Sequence, residues 1–308
     1  MDITIAIVNY NSSSMVLQCI RSVVEFSGDL DYEIIIVDNA SSDDSVELIK
    51  ASFPEHLLIE NKTNLGFSKA VNQAFKASSG EYFFLLNPDA KLISNIFPGM
   101  ISFFQTHPKA GIVAPRITFP DNRLHPSARR FITLLAAILD VLQIHFYFSN
   151  NAVAKRFEYD KWKHNEVREV DWVTGAAFLT KRKTFEDCGM LDERFFMYFE
   201  DMDYCMCVKQ NGYATYFCPQ FSVVHHHARG GSDKLPVRSV DYYISLHRYL
   251  LKHKGDLKAT IFRIAMFSWG VAYLFARTAK HFVSGGSQSF LDRIDTPLRL
   301  IRYKSYET

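Results

Sequence analysis

Three carboxylates fall within four positions directly after an aromatic run. Glu200, Asp201 and Asp203 follow Phe-Phe-Met-Tyr-Phe at residues 195–199. Acids that follow so apolar a segment are either desolvated or line a polar site beside a hydrophobic wall. Burial and like-charged neighbours raise the pKa of a carboxylate, which is one way an enzyme obtains a general base. The alternative is an amphipathic helix that begins with acids because the helix dipole favours them, and these residues alone leave both interpretations open.

Four further polar clusters each follow a predicted strand. They are Asn9-Tyr10-Asn11, Asp38-Asn39-Ala40-Ser41, Asn64-Leu65-Gly66-Phe67 and Asn87-Pro88-Asp89. One such cluster would be ordinary turn chemistry, because Asn, Asp, Pro and Gly dominate turns. In open α/β sheets, however, ligands bind beyond the carboxyl ends of the strands. Four clusters at the same edge therefore favour a shared ligand site.

The four clusters differ in the chemistry that they offer. Asp38 can accept hydrogen bonds from a base N–H or from ribose hydroxyls. Asp89 follows a turn made rigid by proline and offers a hard oxygen ligand suited to Mg²⁺ or Mn²⁺. Neither a P-loop nor a G-x-G-x-x-G motif occurs in the sequence, which disfavours a Walker ATPase and a nicotinamide dehydrogenase. If the site binds a phosphate group, a metal ion would then have to neutralise most of its charge.

The elements that must position these residues alternate between strand and helix. Apolar, β-branched runs predict strands at residues 3–8, 32–37, 57–60 and 82–86, and helical spacing predicts helices at 12–26, 46–53 and 69–77. This alternation is typical of βαβ units and a doubly wound sheet. The second half is less regular. It predicts strands at 111–114 and 170–180 and a long apolar helix at 131–148.

Composition narrows the class of protein. With 308 residues, 48% of them hydrophobic, the chain can bury a large core, so disorder is excluded. A net charge of +2 is too balanced to indicate nucleic-acid binding. Five scattered cysteines predict reduced thiols in a cytosolic protein rather than a disulfide framework. We expect no signal peptide, because the chain enters a strand pattern at once.

Two apolar segments carry basic flanks. Arg129 and Arg130 precede the helix predicted at 131–148, and the apolar stretch at 264–276 lies between Arg263 and Arg277. The second stretch is shorter than the roughly 18–20 residues that a spanning helix needs. Both segments resemble interfacial helices. The alternative is that they pack against each other or form a dimer.

The strand-end clusters stand in the order typical of inverting family 2 glycosyltransferases, and the chain resembles that family over about residues 3–235. Thr174-Gly175-Ala176, residues 199–203 and Val224-His225 continue the resemblance, which is closest to the rhamnosyltransferase-like branch. It implies a GT-A fold: an α/β architecture with a Rossmann-like, mostly parallel central sheet flanked by helices, followed by a C-terminal helical extension. We expect a transferase domain at 1–235. We expect the extension at 236–308 to pack on it and to face a membrane or a dimer partner.

The resemblance also implies roles for single residues. Asp201 would be the catalytic base, with Glu200 and Asp203 beside it. Asp89, in the Asn-Pro-Asp that stands for a D-x-D motif, would bind Mg²⁺ or Mn²⁺. His225 would be a further ligand, favoured over His227 by its place in the motif. The nucleotide-sugar would be bound by Asn9, Tyr10, Asp38, Asn39, Asn64, Gly66 and Asn87. The loop at 229–232 could close over the diphosphate.

The sequence departs from the family pattern at two places. Cys207 stands where the family usually carries an arginine, so neutralising the diphosphate would fall to the metal or to Arg229. Ser68-Lys69 replaces a small, often glycine-rich stretch. Lys69 either compensates electrostatically or is simply an exposed helix residue.

The sequence therefore predicts a metal-dependent inverting glycosyltransferase of bacterial surface glycan synthesis, with rhamnose as the sugar suggested by the branch. Its partners would be a nucleoside-diphosphate-sugar and a lipid-linked saccharide acceptor, and no nucleic acid. We also expect a peripheral contact with the inner face of the cell membrane and a homodimer. Two alternatives are a glycoside hydrolase that uses paired carboxylates and an inactive scaffold that binds nucleotide-sugars. The hydrolase leaves the four strand-end clusters unexplained.

Overall fold

A computed structural model describes residues 1–142, 162–226 and 239–284. Its helices are α1 (Ser13–Phe26), α2 (Ser45–Ser52), α3 (Phe67–Ala77), α4 (Phe97–Thr106), α5 (Leu134–Val141), α6 (Arg182–Asp187), α7 (Glu200–Gln210), α8 (Val240–Lys254) and α9 (Asp256–Ser284). Its strands are β1 (Ile3–Asn9), β2 (Tyr32–Asp38), β3 (Leu57–Glu60), β4 (Tyr82–Leu86), β5 (Ala90–Leu92), β6 (Ala110–Thr118), β7 (Leu124–His125), β8 (Ala128–Arg129), β9 (Arg168–Val170), β10 (Trp172–Val173), β11 (Ala177–Lys181) and β12 (Ala214–His225).

The main sheet is mixed and follows the order β3-β2-β1-β4-β11-β6-β12-β5, with β7 beside β6 and β9 beside β12. The first four strands along this order are parallel, as the alternation of strands and helices predicted. β11 runs antiparallel to both of its neighbours, and β6 and β12 are again parallel. The structure thus confirms the α/β sheet flanked by helices.

The parallel half of the sheet forms because its strands are apolar throughout. Every residue of β1 and of β4 is buried, as expected for strands covered by helices on both faces. α1 covers one face with Val16, Ile20 and Val23, which join the same hydrophobic core. The carboxyl ends of β1, β2 and β4 therefore meet at one rigid edge, from which the polar clusters project.

Most predicted elements differ from the structure by a few residues at their ends, and two differ in how they are divided or where they begin. The strand predicted at 170–180 is divided into β9, β10 and β11, because the chain bends at Asp171 and turns again at residues 174–176, and β10 pairs with β8 in a separate small sheet. The helix predicted at 131–148 begins at Leu134, where Thr133 caps it by accepting from the Ala136 N–H. Its predicted residues 143–148 lie outside the described residues.

The chain divides into two compact units. The first comprises Met1–Phe131, Lys161–Phe196 and Glu200–Lys234 and contains the large sheet. The second comprises Ile132–Asp160, Met197–Phe199 and Leu235–Thr308, and its described elements are helical. In the part of the chain that the structure describes, no helix combines the length and apolarity needed to cross a bilayer.

Candidate active site

The first two strand-end clusters are joined by a buried hydrogen-bond network. Asn9 and Asp38 are paired in register at the ends of β1 and β2, and Asn9 Nδ2 donates to Asp38 Oδ2 at 2.7 Å. Ser41 closes the loop, because its hydroxyl donates to Asp38 Oδ2 at 2.6 Å and its N–H donates to Asp38 Oδ1 at 2.9 Å. Both carboxylate oxygens of Asp38 are thus engaged. In contrast, Asn9 Oδ1 is buried without a partner among the described residues.

Asn39 holds the third cluster against the second. Its Nδ2 donates to Asn64 Oδ1 at 2.9 Å and to the Gly66 carbonyl at 3.1 Å. Its Oδ1 accepts from Asn61 Nδ2 at 3.1 Å and from the Leu65 N–H at 3.0 Å. The side chain has no spare donor for a ligand, so its contribution is to fix the loop before α3. Asn61 was missed in the sequence because it lies outside the recognised motif.

Gly66 brings this loop against the segment that precedes the acids. Its φ of +88° lies in the left-handed region, and an added Cβ would lie 2.7 Å from both the carbonyl oxygen and the ring of Phe196. The next residue, Phe67, donates its N–H to the same carbonyl at 2.7 Å. Ser68 also binds this segment, through the Phe195 carbonyl at 2.7 Å. Lys69 is exposed on α3, as the simpler of its two interpretations predicted.

Asp89 and His225 form a second pair. His225 Nε2 lies 2.9 Å from Asp89 Oδ1, and His225 is buried. The backbone fixes the pair, because β12 places His225 opposite Ala90 and the His226 N–H donates to the Asp89 carbonyl at 2.9 Å. The two side chains are hydrogen-bonded to each other in this structure, so a cation would have to replace the proton that they share. The donor set, one carboxylate oxygen and one imidazole nitrogen about 3 Å apart, fits two neighbouring positions around an octahedral divalent cation. His227 and the loop at 229–232 lie outside the described residues.

The three acids occupy different environments at the start of α7. Asp201 accepts from the Gly175 N–H through Oδ2 at 3.1 Å and from the Met202 N–H through Oδ1 at 2.7 Å. Glu200 is buried, and its Oε2 has no partner among the described residues. Asp203 is almost completely buried. Both interpretations of the acids thus apply, since they begin a helix and are also withdrawn from water, Glu200 and Asp203 most completely.

Burial raises the pKa of two of these acids. It raises the pKa of Glu200 well above the usual range, and the charge of Asp201 raises it further. Burial also raises the pKa of Asp201, while the N–H groups of Gly175 and Met202 and the charge of Arg129 act in the opposite direction. Burial is the largest of these effects, so the pKa of Asp201 stays above its usual value, but the two N–H donors and the Arg129 charge limit the rise.

Arg129, predicted from the sequence as the basic flank of an apolar helix, is near enough to Asp201 for its charge to lower the pKa of that acid. It lies on β8, opposite Trp172 of β10, and its guanidinium carbon is 5.9 Å from the centre of the Trp172 ring. β10 leads directly to Gly175, which binds Asp201. The pairing of β8 with β10 joins residues far apart in the sequence, so the sequence did not predict it. The only related signal was Cys207, which stands where the family usually carries an arginine.

The turn at 174–176 links the strand end that carries Asp89 to the acids of α7. The Asn87 N–H donates to the Ala176 carbonyl at 2.9 Å, and the adjacent Gly175 N–H donates to Asp201. The structure therefore gathers Asn9, Asp38, Asn39, Asn64 and Gly66 into one network, and Asn87, Asp89, His225 and Asp201 around the ends of β4, β11 and β12. Tyr10 projects from the end of β1 with a partly exposed ring.

The polar loops thus lie beyond the carboxyl ends of the parallel strands, which is where open α/β sheets bind their ligands, and the acids of α7 follow behind them. Residues 4–203 match the family described as Glycosyl transferase family 2. Because this match covers most of the chain, the chain belongs to that family.

Curated relatives agree with this assignment. The chain is 27% identical over 240 residues to an N-acetylglucosaminyl-diphospho-decaprenol L-rhamnosyltransferase of Mycobacterium tuberculosis, covering 74% of this chain and 78% of that protein. It is 23% identical over 236 residues to a low-salt glycan biosynthesis hexosyltransferase of Haloferax volcanii, covering 73% of this chain and 67% of that protein.

Solved structures share the fold. GalNAc-T7 with UDP, GalNAc and Mn²⁺ superposes with a TM-score of 0.58 at 16% identity over 81% of this chain, although the match spans only 47% of GalNAc-T7. The mannosyltransferase PcManGT of Pyrobaculum calidifontis, in complex with GDP-Man and Mn²⁺, gives a TM-score of 0.52 at 17% identity over 99% of this chain and 81% of its own. The fold is therefore GT-A.

Proposed function

We propose that the protein is a metal-dependent inverting glycosyltransferase. It transfers a sugar from a nucleoside-diphosphate-sugar to a hydroxyl of a saccharide acceptor in bacterial surface glycan synthesis. The observation that carries this proposal is the hydrogen-bonded route from Asn87 through Ala176 and Gly175 to Asp201. These hydrogen bonds connect the strand end before Asp89, which with His225 would bind the cation, to Asp201, the acid proposed as the base.

In the proposed reaction, Asp201 takes the proton of the acceptor hydroxyl as its oxygen attacks the anomeric carbon. The bond from that carbon to the diphosphate oxygen breaks on the opposite face, and its electron pair leaves with the diphosphate, so the configuration inverts. Asp89 and His225 would hold a divalent cation, which when bound stabilises the negative charge of the leaving group. Arg129 supports the ionised form of Asp201.

The donor would lie along the network at the ends of β1 and β2. Asn9 Oδ1 is a buried acceptor without a partner among the described residues and is available to a donor group of the nucleotide. Asp38 and Asn39 would shape this site mainly by holding the loops, since their side chains are already engaged. Tyr10, Asn64, Gly66 and Asn87 would complete it. Transfer of rhamnose is proposed from the mycobacterial relative.

A lipid-linked acceptor is proposed on the same basis, because that relative's printed name includes a diphospho-decaprenol. Such an acceptor would place the reaction at the inner face of the cell membrane. Residues 1–235 would form the transferase domain and residues 236–308 its helical extension. A homodimer is compatible with this arrangement but is not required by it.

The test is Asp201→Asn, with Glu186→Gln as a control that removes an exposed carboxylate. Turnover should fall about 10²- to 10⁴-fold in Asp201→Asn because a general base is lost. Donor binding, measured calorimetrically with Mn²⁺, should be retained in both variants and should weaken in both when a chelator removes the metal. Full turnover by Asp201→Asn would refute the assignment of the base. Donor binding by the native protein without transfer to any acceptor would favour the scaffold, and cleavage of glycans without a nucleotide donor would favour the hydrolase.

A further inference from the structure

The second compact unit exposes an unusual amount of apolar surface on α9. Large apolar side chains recur every three or four positions along this helix and are 40–76% exposed. They are Leu257, Ile261, Ile264, Phe267, Val271 and Phe275. This spacing places them on one side of the helix, which we call the apolar face of α9.

The opposite side of the helix is already packed within its own unit. Phe262, Met266 and Trp269 are buried there, and the Trp269 ring lies 5.9 Å from that of Tyr243 on α8. A surface helix ordinarily has one apolar side towards the core and a charged side towards water. α9 is instead apolar on both sides, so packing within the unit does not explain its apolar face.

The exposed side also lacks charge between its apolar residues. Between Leu257 and Phe275 the other exposed residues on this side are Thr260, Ser268 and Ala272, and all three are uncharged; the one exposed acid, Asp256, lies at the first residue of the helix. From Leu257 to Phe275 the helix rises about 27 Å, so the face is long as well as continuous. A contiguous exposed patch of this kind marks an interaction surface rather than ordinary solvent-facing structure.

Charge indicates which partner covers the apolar face. Residues 236–308 contain twelve Lys and Arg against five Asp and Glu, a net charge of +7, whereas residues 1–235 contain 23 and 28, a net charge of −5. Lys252 and Lys258 are exposed near the beginning of α9. Two copies joined through this face would bring together two segments of the same strong positive charge. An anionic surface is instead attracted to it.

We propose that α9 docks its apolar face onto an anionic lipid surface and lies in the plane of the interface. Apolar side chains along one face would enter the boundary between headgroups and acyl chains, while the basic residues of the same segment attract the anionic headgroups. This docking goes beyond the transfer reaction and rests on separate residues, so each can fail without the other.

The experiment is cosedimentation of the full chain with vesicles of phosphatidylglycerol and phosphatidylcholine, compared with vesicles of phosphatidylcholine alone. The native protein should bind the anionic vesicles more strongly, and added salt should weaken this binding. The variant Ile264→Glu/Phe267→Glu should bind about tenfold or more weakly, because two charges replace apolar side chains that would enter the lipid. Both positions are exposed, so the variant should keep its helical content and melting temperature.

The matched control is Ile93→Glu/Val167→Glu, which changes two exposed apolar residues of the first unit to the same charge. It should bind vesicles like the native protein. Absence of native binding to anionic vesicles, or equal binding by the α9 variant, would overturn the proposal. A native dimer that the α9 variant dissociates in analytical ultracentrifugation would also overturn it, because the face would then be covered by a second copy.

Sugar transfer to a water-soluble acceptor separates docking from catalysis. The α9 variant should keep its transfer rate on such an acceptor while losing vesicle binding. Vesicle binding by a native protein that transfers no sugar would leave the docking proposal standing and remove the proposed function.

Discussion

Asp201 differs from its two acidic neighbours by what surrounds its oxygens. Backbone N–H groups reach both of its oxygens, whereas Glu200 Oε2 is buried without a partner among the described residues. Donors stabilise the ionised form of a carboxylate, and burial alone stabilises the neutral form. A base must be ionised before it can take a proton, so the geometry favours Asp201 for this role. Arg129 adds a positive charge that the sequence lacks at Cys207.

Replacing Arg129 with Met should move the acid limb of the kcat/KM profile to higher pH. Burial raises the pKa of Asp201, and the Arg129 charge lowers it, so loss of that charge raises the pKa further. Activity should therefore fall most at low pH and recover as the pH rises. Arg129→Lys should keep the limb near its native position. Initial rates of nucleotide release measured across pH provide the test.

Arg123→Met is the control for Arg129, because Arg123 is an exposed arginine paired with Asp121. Its profile should match that of the native protein. A lower rate in Arg129→Met with an unmoved acid limb would show that Arg129 acts on the substrate rather than on the base.

At the scale of elements, the loop before α3 and the segment before α7 are built against each other. The N–H of Phe67 and the hydroxyl of Ser68 bind carbonyls of Phe196 and Phe195. Asn72 on α3 extends this contact by donating to the Leu191 carbonyl at 2.8 Å. The loop that would hold the donor and the segment that leads into the acids are therefore fixed to one another, which is the preorganisation that a transfer reaction needs.

Gly66→Ala tests this close approach. Its left-handed backbone costs an alanine about 1–2 kcal/mol, and the new Cβ would also meet the Phe196 carbonyl at 2.7 Å. Gly189→Ala is a matched control, because its φ of +84° is similar but no atom lies within 4 Å of the added Cβ. We expect the control to lose about 1 kcal/mol of unfolding free energy and Gly66→Ala about 2–4 kcal/mol. Urea denaturation measures both, and equal losses would contradict the packing argument.

Local patterns predicted the parts of the fold that depend on neighbouring residues. The apolar runs at 3–8 and 82–86 could be recognised because buried parallel strands have no polar alternation. The sequence could not show that the Asn39 side chain is fully hydrogen-bonded, because its partner Asn64 lies 25 residues away. The place of Arg129 opposite Trp172 depends on a pairing of two short strands, which periodicity does not indicate. The candidate site was therefore predicted by residue type and motif order, and its hydrogen bonds required the structure.

For the molecule as a whole, the acidic site should affect stability as well as catalysis. Burial, and then the charge of Asp201, raise the pKa of Glu200 well above 4.5 in the folded chain. The unfolded chain ionises this group near 4.5, so the folded state holds the proton over a pH range in which the unfolded state has released it. The stabilisation that results is complete below pH 4.5 and is lost as the pH rises through the folded pKa.

Glu200→Gln should therefore become more stable relative to the native protein as the pH rises from about 5 to about 8, because the amide cannot ionise. The difference grows by about 1.4 kcal/mol for each unit by which folding raises the pKa of Glu200, and it levels off above the folded pKa. Burying the amide N–H groups adds a constant offset that does not vary with pH, so the slope is the informative quantity. Glu186→Gln, at an exposed position, should show no slope. A difference between Glu200→Gln and the native protein that stays constant across this range, measured by urea denaturation at each pH, would mean that Glu200 ionises normally in the folded chain. The same measurement bears on mechanism, because a buried acid whose pKa is raised beside a second acid loses stability as the pH rises, a cost that is common at functional sites.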